Sequence, residues 1–500
     1  MTDVKAGARK KPVRLHIDLP PVKDKAEVLE QQRAATPQDG IRDDLEHDIP
    51  PVIRSVLELT HLMMSGHSQW LRATPGYQGG LFYRGRPYCF ASGYRDGHRP
   101  LDVEDKGNHM KLKDPLVYGP MSLPITAAYL CELHGKGVFD LERPLVEYLP
   151  DMQDRMDPAV TARSVLSFTT VLDERRIFRD ARVRLWRPYT AYNACRAAQT
   201  HLYEPLNAFL AGSSTARLNG REQRHNLMLY LRSSKGAATF LRRPPARATV
   251  SHFSVALLIA AVETQLKGQT FEESIRDVFF VPAQAHGAGY GPPKLYRDPN
   301  EIFYQPTGLA LQHQGFRRPV VASSLANCGP PALNASLNLY APVEDYGKLL
   351  LLSLDTIRDA RELLGCPALA RPHYDLGVQY VPGTDTLQLL PTWRHGAFFL
   401  PAAASFRFSC RHDLGCFGAA SCGTRSACLF ADNVSRTLQH VFVKHVLQKN
   451  VDATAALDLD DPKNETGAEK GNGEAERLGR AVKKQAYTSY FTKQDAHRRF

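Results

Sequence analysis

No apolar run in the 500-residue chain approaches the roughly 18 residues a bilayer-crossing helix needs, so no membrane span is predicted. The first residues carry no apolar secretory segment, and Asp3, Asp18 and Asp24 are out of keeping with an organellar targeting helix. A cytoplasmic location is the expectation, with a mitochondrial one less favoured. The nine cysteines include no two that lie two to four residues apart, which excludes the paired knuckles of a zinc ribbon. An odd count without a secretory segment argues for reduced thiols. Basic strands interleaved with aromatics, the platform on which RNA bases stack, are also missing.

What the chain does have is positive charge. Lys and Arg number 63 against 52 Asp and Glu, a net +11, and this balance favours an acidic partner such as a tubulin surface, a nucleic acid or an anionic membrane. Residues 1–50 mix a basic cluster (Arg9, Lys10, Lys11, Arg14) with prolines and acidic residues and lack sustained periodicity, which predicts an extended or disordered arm able to lie along a partner. Residues 451–500 run from acidic to Gly/Glu/Lys-rich to basic with Tyr487, Tyr490 and Phe491, the profile of a flexible tail with a terminal docking peptide. Residues 172–245 are Arg-rich and helix-prone and read as an inserted helical lobe whose basic face is solvated.

The order of the remainder, 51–450, hangs on Gly119–Pro150. Ile125, Tyr129, Leu130 and Leu133 recur at helical spacing and predict a helix over 121–134 that stops at Gly135-Lys136-Gly137. Phe139-Asp140-Leu141 and Pro144 through Pro150 follow as a proline-bounded turn. From Thr126-Ala127 to Pro150 the run resembles the serine β-lactamase, penicillin-binding protein and class C-like esterase superfamily. Other stretches are similar to the same family, in its order. They are the hairpin around Arg84-Gly85-Arg86, Val160–Thr170, Ala248–Pro282, Leu333–Leu352 with Asp345-Tyr346-Gly347, Tyr374–Val378, and Phe417 through Asn433. A helix is expected at 51–66 and a closing helix at 434–450. The resemblance implies an α+β, β-lactamase/transpeptidase-like fold, an antiparallel sheet flanked by helices with a mostly helical lobe. It also implies acyl transfer through a serine ester.

The reactive groups of that chemistry are not where the resemblance would put them. A serine hydroxyl is a poor nucleophile near neutral pH unless a base takes its proton. The family's helix opens with Ser-x-x-Lys, and anchoring on Thr126-Ala127 puts Pro120 at the serine and Leu123 at the lysine. Ser122 is two residues away, but Ile125 then replaces the lysine. No lysine anywhere has a serine three residues before it. The family's Tyr-Ser-Asn falls on Ser251-His252-Phe253, no Tyr-x-Asn triplet occurs, and Ala419 stands at the histidine of the third motif, with His412 an alternative if an insertion is allowed.

Four such departures predict a pseudoenzyme retained as a scaffold in a larger assembly, with a cytoskeletal filament such as an axonemal microtubule ahead of a ribonucleoprotein. The alternative is a divergent serine esterase with Ser122 as nucleophile and His252 or His412 as base. A third reading is a binding module that keeps the cleft without turnover. No cofactor is expected. Cys410, Cys416, Cys422 and Cys428 recur every six residues and could together hold zinc; the same spacing on one face of a β run makes them small apolar groups, and that reading is preferred. Ala419-Ala420-Ser421-Cys422-Gly423 loosely suggests a nucleophile elbow, a motif that requires a parallel strand–turn–helix.

Overall fold

The computed structural model describes residues 53–54, 56–57, 60, 76–83, 85–93, 110–181, 206–212, 218–233, 240–242, 250–291, 308–310, 318–320, 330–365, 371–389, 403–420, 425–443 and 447. The arm at 1–50 and the tail at 451–500 lie outside them. Among the described residues no helix is long and apolar enough to cross a membrane.

The centre is a seven-stranded antiparallel sheet. Strands β1 (Gly76–Tyr83) and β2 (Arg86–Gly93) form one hairpin, and β3 (His373–Asp375), β4 (Val378–Val381), β5 (Thr386–Leu389), β6 (Ala403–Ser409) and β7 (Leu414–Ala420) follow each other late in the chain. The spatial order is β3-β4-β5-β6-β7-β1-β2, so the first hairpin closes against the last strand, with Tyr77 opposite Ala420. Successive side chains of a strand point to opposite faces, and here both faces are covered. Phe417 and Ala419 of β7 enter one core, and Leu414, Cys416 and Ala420 the other. That accounts for the near-continuous apolar run of β7, which an open sheet would have broken with polar residues.

Helix α1 (Ser122–Gly135) lies in the larger core and is buried on every side, from Ser122 through Cys131 without a break. Pro124 costs little there, because a first-turn N–H has no partner inside the helix. Helix α3 (His252–Glu263) is likewise wholly buried and packs on α1 through the turn at Asn334–Leu337. Helix α4 (Val343–Leu364) crosses α1, β1 and β2; it opens at Val343 and runs twelve residues past Leu352, where the sequence reading closed it. On the other face lies helix α5 (Arg425–Phe442), over β7, β6 and β1, with Ile53, Val56 and Leu57 in the same core. A Cβ on Gly418 would sit 2.7 Å from the Ala431 carbonyl oxygen, so only glycine lets α5 approach this closely. The closing helix begins at Arg425, nine residues before the expected 434. The backbone of Leu429–Asn433 is therefore helical, and Phe430 and Ala431 enter the core on this sheet face.

The insertion is closed at its base by a two-stranded ribbon that pairs Thr170 with Arg242 and Leu172 with Phe240. Inside it are a short helix at Glu174–Asp180, a helix at 206–211 and helix α2 (Gly220–Arg232). Asn219 and Glu222 form a reciprocal cap at the start of α2. The fully buried Arg224 guanidinium ties α2 to the domain by hydrogen bonds to Glu263 of α3 and to Glu272.

Candidate functional site

Pro120 lies in a buried single turn, Gly119–Met121, directly before α1. Its ring has no nucleophilic atom. Leu123 is the second residue of α1 and is fully buried. It lies beneath the β3–β4 turn, where Leu376 and Gly377 both adopt positive φ, 46° and 77°. That pair of angles makes a tight turn whose twist suits a two-residue hairpin. A Cβ added at Gly377 would meet the Leu123 carbonyl oxygen at 3.1 Å and the Ala127 methyl at 3.0 Å. The turn thus presses on the helix where the resemblance puts a lysine.

Ser122 begins α1 and is fully buried. Its hydroxyl donates to the Gly119 carbonyl at 2.6 Å and accepts from the Leu339 N–H at 3.2 Å. Both partners are backbone groups, and neither can take a proton. Thr126, one turn on, is likewise engaged, donating to the Ala335 carbonyl at 2.6 Å.

Neither histidine offered as a base hydrogen-bonds to the Ser122 hydroxyl. His252 is the buried first residue of α3, and His412 closes the short Cys410–His412 turn between β6 and β7. That turn is at the opposite end of β7 from Ala419, which is buried in the larger core opposite Ala404.

Ser251 has the most developed surroundings. It is the N-cap of α3, accepts from the Ser254 N–H at 3.1 Å and from the Ser254 hydroxyl at 2.8 Å, and donates to the Glu174 carboxylate at 2.7 Å. Glu174 also accepts from the Phe253 N–H at 3.3 Å. The residue is half-buried, with both of these hydrogen bonds made to one carboxylate oxygen. Burial raises its pKa to about 7, against the pull of the Ser251 hydroxyl and the amides of Phe253 and His252. Sequence reading missed Glu174. The residue precedes Ser251 by 77 positions and sits in an Arg-rich helix start that gives no sign of burial.

The cysteine array does not assemble. Cys416 is buried in the core under α5, Cys410 lies in a turn packed against the other core, and the backbone at Cys428 is helical. The even spacing does not put these cysteines on one β run, because strand, turn and helix succeed one another within it. Cys422 lies outside the described residues. Burial pushes the Cys410 thiol up to about 11 and the Cys416 thiol higher still, so neither is a thiolate at neutral pH. Among the described residues no three His, Cys, Asp or Glu side chains come together as a metal site. Ala419-Ala420 end an antiparallel strand, which is not the parallel setting of a nucleophile elbow.

An antiparallel sheet with a buried helix in a mainly helical layer on one face, a second helix on the other, and a helical insertion define the β-lactamase/transpeptidase-like fold, of class α+β. Solved structures agree. The D-amino acid amidase from Ochrobactrum anthropi SV3 complexed with L-phenylalanine is similar at a TM-score of 0.52 and 13% identity, over 79% of this chain and 99% of that one. The penicillin binding protein from Bacillus halodurans is similar at a TM-score of 0.51 and 15% identity, over 77% of this chain and all of that one. No family model and no curated protein matches the sequence.

Proposed function

We propose that this chain is a catalytically inactive member of the β-lactamase-like serine hydrolases that serves as a structural component of a larger assembly with an acidic surface. A cytoskeletal filament, with the axonemal microtubule as the type, is placed ahead of a ribonucleoprotein. The observation that carries the loss of catalysis is the Ser122 hydroxyl, held between two backbone groups with no base, beside a proline and a leucine where nucleophile and lysine are expected. Proton removal by a positioned base contributes about 10²- to 10⁴-fold to such reactions, and nothing bonded to Ser122 can supply it. The net charge of +11 supports the acidic partner. The test is affinity purification of the tagged protein from its own cells at gentle salt, with fluorophosphonate labelling of the same sample. Co-purification with one stoichiometric assembly and no label is the expected result; strong labelling with no stable partner overturns it.

A second reading, a divergent serine esterase, has one observation in its favour. The Ser251 hydroxyl donates to a carboxyl whose pKa lies near neutrality, which is the relation of a nucleophile to its base. Against it, Ser251 is buried and its oxygen caps α3. Mapping any fluorophosphonate adduct separates the possibilities. Label on Ser251 that vanishes in Ser251→Ala would establish this reading, and label on Ser122 would point to the sequence-based alternative.

A further inference from the structure

We draw no further inference here: the strongest candidate, the open groove between the 206–211 helix and α2 with Phe209, Leu229 and Tyr230 on its apolar wall, has a rim on which the charges of Arg221 and Glu222 cancel, and nothing in the structure shows what covers it.

Discussion

Replacing Arg224 by Met should be among the most damaging single changes in the molecule. The guanidinium is fully buried, donates from Nε and Nη2 to Glu263 at 3.0 and 2.5 Å, and donates to both carboxylate oxygens of Glu272 at 3.1 Å. Each carboxylate has one further donor, the Phe271 N–H on Glu263 at 3.0 Å and the Asn334 amide on Glu272 at 2.9 Å. These neutral donors cannot balance two negative charges. Met keeps much of the side-chain volume, so the packing loss is small and the electrostatic loss stands out. Breaking a buried pair by removing one partner costs about 3 to 5 kcal/mol, and here two carboxylates are left facing each other. Urea denaturation followed by circular dichroism at neutral pH measures the loss. Adding Glu263→Gln should recover part of it at neutral pH. A loss below about 1 kcal/mol would refute the view that this ionic cluster anchors the insertion to α3.

Glu174 should make the protein less stable as pH rises. Its folded pKa of about 7 lies above its ordinary value, so stability is greatest below about 4.5, falls between 4.5 and 7, and is level beyond, by up to about 3 kcal/mol; Glu174→Gln should flatten that slope in a pH series of thermal melts. Ser122→Ala leaves the Gly119 carbonyl and the Leu339 N–H without their partner and should cost about 1 to 3 kcal/mol in chemical denaturation, while any hydrolysis the protein shows should persist. Gly418→Ala puts a methyl 2.7 Å from the Ala431 carbonyl oxygen and should cost about 1 to 3 kcal/mol by forcing α5 off the sheet; an unchanged melting temperature would mean the helix can shift freely.

Much of the fold was legible along the chain because it is written in local periodicity. The α1 reading, 121–134 against Ser122–Gly135, follows from apolar residues at helical spacing and a Gly-Lys-Gly stop. The first hairpin follows from a glycine turn between apolar runs, with Gly85 at φ 75°. The residue types at Pro120, Leu123 and Ala419 were equally plain, since residue identity at a position needs no geometry to be noticed. The start of α5 was misjudged, because Leu429–Asn433 is compatible with either a strand or a helix until the sheet face it must cover is known. The even cysteine spacing misled for the same reason, as a count along the chain cannot show a turn and a helix within it. Long-range facts had no local signal at all: the Glu174 carboxyl against Ser251, the β3–β4 turn against Leu123, and the Arg224 cluster each join residues brought together only by packing. Which side chains exist is settled by the sequence alone. Burial, which raises an acid's pKa and decides whether a hydroxyl is locked or available, belongs to the tertiary structure, because desolvation depends on every neighbour and not on the next residue.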